Sequence, residues 1–283
     1  MIKNYINIFE VDKWPKKREE AEKTAKIKGF ETLLCINDLG VFMGRSKSGI
    51  WCVGLPDELK RVYMFLKYEN SNNRKVIIWS ENMDKALNMY KSINEELAIN
   101  KTIDNLLLCD SKYLCHSTCI ENFYSILKDG ALLSYSEQIR LNRTINTVRH
   151  ELKEPEDYFD YIDLCIDSSI SSEIVVASRQ FGKINDDSDI KYKPGVRTYF
   201  HIDEIKNVNG ICCDGLHALK VYKKLPLNAA HAFVFPSKKE YEGFILNCGL
   251  DIEEKLKSKF IYLEEKEYWT PSEYLEKANN AVR

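Results

Sequence analysis

The side chains best suited to chemistry fall in one stretch, Tyr113-Leu-Cys-His116-Ser117-Thr118-Cys119-Ile-Glu-Asn122-Phe123-Tyr-Ser-Ile126-Leu127-Lys-Asp-Gly130. An imidazole followed by two hydroxyls offers a ring that can donate or accept and two short polar arms, a set able to hold a ligand. Their position has to come from the elements on either side. A short apolar run leads into the histidine and predicts a strand. Ser117 or Thr118 can cap a following helix by accepting backbone N–H bonds. Phe123, Ile126 and Leu127 recur at spacings of three and four, so that helix buries one face. Gly130 suits the left-handed position that ends many helices, and Ala131-Leu-Leu133 returns the chain to the core. The plainer reading of the same residues is a buried histidine in an ordinary strand–helix junction.

Further candidates follow. Arg140, Arg143 and Arg149 punctuate a polar segment from Ser134 to His150. It reads either as an exposed helix or as a cationic wall, where the forked guanidinium can grip an anion. Tyr199 stands in Gly195-Val-Arg-Thr-Tyr-Phe-His201, a strand, and offers either a flat amphipathic surface for a ligand or an ordinary core aromatic.

The pattern His, Ser or Gly, a hydroxyl residue, then Asn122, Ile126-Leu127 and Gly130 resembles the first motif of the ADP-ribosyltransferase superfamily. The branch it resembles is the diphtheria-toxin-like one, with its poly-ADP-ribose polymerases, RNA 2′-phosphotransferases and DarT-like toxins. The resemblance is strong over residues 113–130 and weak over the rest of the C-terminal half. It implies that His116 holds the nicotinamide ribose of NAD and that Ser117 and Thr118 lie at the same end of the dinucleotide. It implies that Tyr199 stacks on the nicotinamide ring and that Arg140 and Arg143 line the pyrophosphate. It also implies a glutamate at the start of a late strand, near the ribose and acceptor. Glu242, before Phe244-Ile-Leu246, is the first choice; Glu240, Glu173 and Glu264 are the alternatives. The family cleaves the nicotinamide–ribose bond through an oxocarbenium-like transition state, which needs a held ribose and nearby negative charge. On this reading NAD is a substrate, the acceptor is a macromolecule (protein, DNA or RNA), and a toxin or phage-defence effector is one role. A non-catalytic protein binding an NAD-like ligand or nucleic acid on the same fold, and an RNA 2′-phosphotransferase-like enzyme, are the alternatives.

The chain has 283 residues, 44% of them hydrophobic and 30% charged, with a net charge of −2. That length holds one large or two ordinary domains. The balanced charge argues against a uniformly basic nucleic-acid binder. Nine cysteines, an odd and irregularly spaced set, follow an N-terminus without an apolar leader, which predicts free thiols in a reducing cytoplasm. Cys115-His116-x2-Cys119 and Cys212-Cys213-x3-His217 lack paired C-x2-C spacing, so no metal is expected. No apolar run is long enough to cross a membrane. The oligomeric state is left open.

The pattern predicts an α+β protein. Residues 1–110 form a small α/β accessory or regulatory domain, and residues 111–283 an ADP-ribosyltransferase-like split β-sandwich with flanking helices. In the first part, strands are expected at Tyr5–Phe9, Thr32–Ile36 and Lys75–Trp79. A hairpin turns at Gly44-Arg-Ser-Lys-Ser-Gly49, and helices run from about Lys16 to Lys28, after Pro56, and after a cap at Ser80. In the second part, Glu151–Asp167 is expected to be helical. Ser171–Ser178 and the segment after Glu242 are expected to be extended. Ala232–Phe235 and Phe260–Leu263 read as strands, with a terminal helix after Thr270-Pro271.

Overall fold

The structure is a computed structural model describing residues 5–99, 111–143, 153–185, 187–249 and 251–283. Helices and mixed sheets make it an α+β protein. It divides into two compact units. One contains Met1–Leu108 with Leu152–Tyr158 and Cys213–His217; the other contains Cys109–Glu151, Phe159–Cys212 and Ala218–Arg283.

The first unit is a five-stranded sheet of β1 (Ile6–Ile8), β2 (Thr32–Asn37), β3 (Phe42–Arg45), β4 (Trp51–Pro56) and β5 (Val76–Trp79), in the order β1-β5-β2-β4-β3. All neighbours are parallel except β3, which returns antiparallel on β4. Runs such as Leu33-Leu34-Cys35-Ile36 and Val76-Ile77-Ile78-Trp79 are fully buried, as parallel strands covered by helices must be. The helices are α1 (Arg18–Ile27), α2 (Leu59–Ser71) and α3 (Met83–Ile99). The turn from Ser46 to Ile50 closes the expected hairpin. The cap before α3 falls on Asn82, whose side chain accepts the Asp84 N–H, while Ser80 gives its carbonyl to the Trp14 indole.

The second unit is organised on a seven-stranded sheet. Its strands are β6 (Tyr113–Thr118), β8 (Tyr161–Ile166), β9 (Val196–His201), β10 (Ile211–Cys212), β11 (Leu219–Tyr222), β13 (Ala230–Phe235) and β14 (Phe260–Tyr262). Their order is β10-β11-β8-β6-β9-β13-β14, so β6 is the central strand. A separate two-stranded sheet pairs β7 (Ala131–Leu133) with β12 (Lys224–Pro226). Its longer helices are α4 (Ile120–Asp129), α5 (Tyr135–Arg140), α6 (Ser171–Phe181), α7 (Lys238–Cys248) and α8 (Pro271–Val282), besides single turns at Ile202–Ile205 and Glu254–Lys257.

The two faces of the large sheet are covered differently. Phe123 of α4 and Phe244 of α7 pack into a ring cluster with Phe233, Phe235 and Phe260 on one face. On the other face, α8 sets Ala278 and Val282 against Tyr113, Cys115, Tyr199 and Val234. Val176 and Ala177 of α6 pack with Tyr192, Trp269 and Tyr274 there.

Three segments depart from the expected secondary structure. Tyr161–Ile166 is a strand rather than helix, because burying Ile162 and Leu164 satisfies the two-residue period of a sheet. Ser171–Phe181 is a helix despite its β-branched Ile174-Val175-Val176. Burial of Glu173, Val176 and Ala177 along one side, and a left-handed Gly182 at its end, outweigh local propensity. Lys238–Cys248 is a helix, started by Ser237 accepting the Glu240 N–H. The expected extended stretch after Glu242 is therefore the middle of α7.

Candidate functional site

The strand–helix–turn around His116 has the local form its sequence implies. α4 begins at Ile120 and ends at Gly130, whose φ of 62° is left-handed. The cap position is Cys119, without a side-chain bond, because Ser117 and Thr118 are the last residues of β6 rather than the first turn of α4. A second glycine is required nearby. A Cβ on Gly195 would come within 1.8 Å of the Thr118 carbonyl oxygen, so the approach to β9 can pass the end of β6 only without a side chain.

Register decides which candidates meet. β6 and β9 are antiparallel, with Cys115 opposite Tyr199, His116 opposite Thr198 and Ser117 opposite Arg197. Directly paired residues point to the same face, and successive residues to opposite faces. His116, Thr118 and Thr198 therefore share the face covered by α4 and α7. Ser117, Arg197 and Tyr199 share the face covered by α6 and α8.

The Ser117 face is a closed polar network. Arg197 and Glu173 are both fully buried and joined at 2.9 Å. The Ser117 hydroxyl donates to Glu173, and the Tyr192 hydroxyl reaches the other carboxylate oxygen at 2.6 Å. Arg197 also donates to the Ser172 hydroxyl at 2.8 Å, the Asp167 carbonyl at 3.1 Å and the Tyr199 hydroxyl at 3.2 Å. Tyr199 in turn donates to Asn279 at 2.7 Å, and Asn279 donates to the Asp167 carbonyl at 3.0 Å. Burial pushes the Tyr199 phenol up, against the pull of the Arg197 guanidinium, and burial beside Glu173 does the same for Tyr192, so both stay protonated donors. The arrangement satisfies a buried charge pair from every side, which is what such a pair requires.

The His116 face has a different character. His116 is half-buried, and Thr198, directly across from it, is 1% exposed. Among the described residues the Thr198 hydroxyl has no hydrogen-bond partner. A buried hydroxyl without a partner costs free energy until something meets it. The rest of the face holds Thr118, aliphatic Leu114 and Val196, and the aromatic cluster.

The remaining candidates are dispersed. Tyr199 is buried on the opposite face from His116, held by Arg197 and Asn279, so a ring stacked on it would not lie over His116. Ser117 is committed to Glu173. Glu242 lies on α7, over the His116 face, but its side chain is 61% exposed and 3.5 Å from Lys238. Glu240 is exposed, and Glu264 pairs with Lys277 at 3.0 Å. Glu173 belongs to the network. Arg143 forks onto Asp129 at 2.5 and 2.6 Å, and Arg140 pairs with Glu137 at 2.8 Å. Arg140 lines an open cleft of about 300 Å³ with Asp129, Glu137, Lys223 and Lys224. That cleft sits at the far end of α4 from His116, about 15 Å away for a ten-residue helix. Arg149 lies outside the described residues.

Thr198, Glu173 with Arg197, and Asn279 were not singled out as a set by the sequence. The available signal was Arg197 itself, a charge at an inward position of a strand, which demands a buried counter-charge. Its partner could not be read because Glu173 stands in a segment whose local pattern suggests a strand.

Among the described residues no group of three His, Cys, Asp or Glu side chains is placed to hold a metal ion, and no helix is long and apolar enough to cross a membrane. Compared with known proteins, the chain matches no family model and no curated sequence.

Proposed function

We propose that the second unit binds NAD at the His116 face of its central sheet and transfers ADP-ribose from it to a macromolecular acceptor. The observation that carries this reading is the facing pair of His116 and the unmatched Thr198 hydroxyl, on the two central strands where β6 runs into α4. An imidazole and a hydroxyl side by side suit the adjacent hydroxyls of a ribose, and a buried hydroxyl in want of a partner gains most from one. The strand, the helix and the left-handed glycine carry the motif that resembles the first motif of the ADP-ribosyltransferases. In this reading His116 and Thr198 hold the nicotinamide ribose, and the phosphates joined to that ribose stay near the His116 end of α4, so Arg140 at its far end does not reach them. Glu242, on the helix over the same face, is the first carboxylate to test near the reacting carbon. Tyr199 and Ser117 support the strand from behind rather than touch the ligand.

The exposure of Glu242 favours a second reading, in which the unit binds the dinucleotide without cleaving it. Nicotinamide release from NAD, together with NAD titration by calorimetry, separates the two. Transfer predicts release by the wild-type protein that is lost in His116→Ala and reduced at least tenfold in Glu242→Gln. Binding without release supports the second reading, and no NAD binding at all rejects both.

A further inference from the structure

One end of the seven-stranded sheet gathers positive charge with little to oppose it. Four neighbouring strands contribute: the start of β6, the end of β9, the start of β13 and the residue before β14. They bring together Lys112 and Tyr113, His201, His231, and Lys259. The Tyr113 hydroxyl and His231 Nε2 share a hydrogen bond of 3.3 Å. The Tyr113 ring lies 5.0 Å from the His231 ring and 5.6 Å from the His201 ring, and the two imidazoles are 6.5 Å apart. The Lys112 ammonium stands 5.0 Å over the Tyr113 ring.

His231 reaches this position through an irregularity of the sheet. Ala230 pairs with Phe200 and Ala232 with Tyr199, so His231 is the extra residue of a β-bulge. Bulges re-aim a side chain that regular pairing would send elsewhere. Here the result is an exposed imidazole beside Tyr113 and His201. The Lys259 ammonium is tied to the same bulge, donating to the Ala230 carbonyl and to that of Asn228 at 3.3 Å.

The charges facing His231 are of one sign. Partial burial, with His201, Lys112 and Lys259 nearby, holds its pKa below the ordinary 6.5. The nearest carboxylates are engaged elsewhere. Asp203 pairs with Lys206 at 2.9 Å and stands 3.7 Å from the inner nitrogen of His201. Glu204 acts on Lys259, whose own pKa is still lowered by burial and by Lys255. The Asp203 N–H donates to His201 Nδ1 at 3.3 Å, which leaves the Nε2 of His201 for an outside partner. A cation would be repelled here. A compact anion that accepts several hydrogen bonds would meet two imidazoles, a hydroxyl and an ammonium from adjacent strands.

We propose that this end of the sheet is a phosphate-binding site, with Lys112, Tyr113, His201 and His231 as its donors. It takes a phosphate group, either free or carried on a nucleic-acid backbone. The inference is independent of NAD binding at the His116 face. It predicts linkage: a bound phosphate favours protonated His231, and phosphate binds more tightly as pH falls through the range where His231 titrates.

The test is a pH titration of the histidine ring resonances by NMR on the whole chain. It is run in inorganic phosphate, in a dithymidine phosphodiester, and in chloride at matched ionic strength. Phosphate binding raises the His231 midpoint by about one pH unit over its value in chloride. A rise with the diester as well identifies backbone phosphate as a ligand, and a rise with inorganic phosphate alone identifies the free or terminal group. Lys112→Gln, a change at an exposed position, reduces the rise at least threefold while the resonances of His116 and His217, outside the site, keep their positions. Equal His231 midpoints in all three solutions, or a rise that survives intact in Lys112→Gln, overturn the proposal.

Discussion

On the Ser117 side of β6, every polar group is matched. A carboxylate and a guanidinium are buried together, and hydroxyls, carbonyls and an amide fill their remaining positions. On the His116 side, one residue away, aromatic rings dominate and the Thr198 hydroxyl is left over. The pleat of a strand makes this contrast possible, since neighbours in sequence belong to separate environments. The difference teaches where to look for a ligand. A saturated network has nothing left to offer and serves the fold, whereas an unmatched buried group retains a bond to give. The conspicuous cluster of charged and aromatic side chains is on this ground the framework, and the plainer face is the candidate site.

Four experiments bear on that contrast. Arg197→Met should have the largest effect, since it strands Glu173 as an unpaired charge in the interior. The expected loss is about 3–5 kcal/mol in urea unfolding, much of it recovered by adding Glu173→Gln. A loss under about 1 kcal/mol would mean that water reaches the network and that the two faces do not differ as described. Gly195→Ala should cost about 1–3 kcal/mol, because the new methyl meets the Thr118 carbonyl and one of the backbones must give way. Calorimetric melting measures it, and an unchanged midpoint would show that the loop is free to move off β6. Thr198→Val should leave stability equal or higher by up to about 1 kcal/mol, since the hydroxyl it removes makes no bond among the described residues. The same variant should weaken NAD binding by about fivefold, the worth of one hydrogen bond. Unchanged affinity would make the His116 face simply core.

The smallest effect concerns pH. The Thr270 N–H, with Lys266 and Lys191, holds the Glu273 carboxyl at about 2, below its ordinary 4.5. A depressed carboxylate stabilises the fold fully above 4.5 and loses that contribution as pH falls from there towards 2. Glu273→Gln should therefore flatten the acid side of the stability profile in that window, measured by urea midpoints at several pH values. It should leave the network intact at neutral pH, because Tyr274 and Asn279 remain anchored from the same helix.

Much of the architecture was legible where local signals agree with tertiary demands. The α/β pattern of residues 5–99, the helix from Ile120 to the left-handed Gly130, and the capped helix at Thr270-Pro271 all show this. Legibility failed where packing overrode propensity. Ile174-Val175-Val176 reads as strand and folds as helix because its buried side carries Glu173 to Arg197. Tyr161–Ile166, rich in aromatic and acidic residues, folds as a strand because only alternate positions are inward. His116 was singled out through its motif. Thr198 was not, because an unmatched hydroxyl is a property of register and burial and leaves no trace in composition. The resemblance set Tyr199 beside His116 at the nicotinamide end; parity puts it on the other side of the sheet.

The bond from Asn279 to the Asp167 carbonyl joins residues 112 apart in the chain. It has a consequence for biosynthesis. Until α8 leaves the ribosome, Tyr199 and the Asp167 carbonyl lack the Asn279 side chain, and the interior behind β6 cannot seal. A nascent chain can form its first sheet early, but the second must wait for α8, with the slow closure that distant contacts impose. The sheet that carries His116 would thus be completed only once α8 has docked.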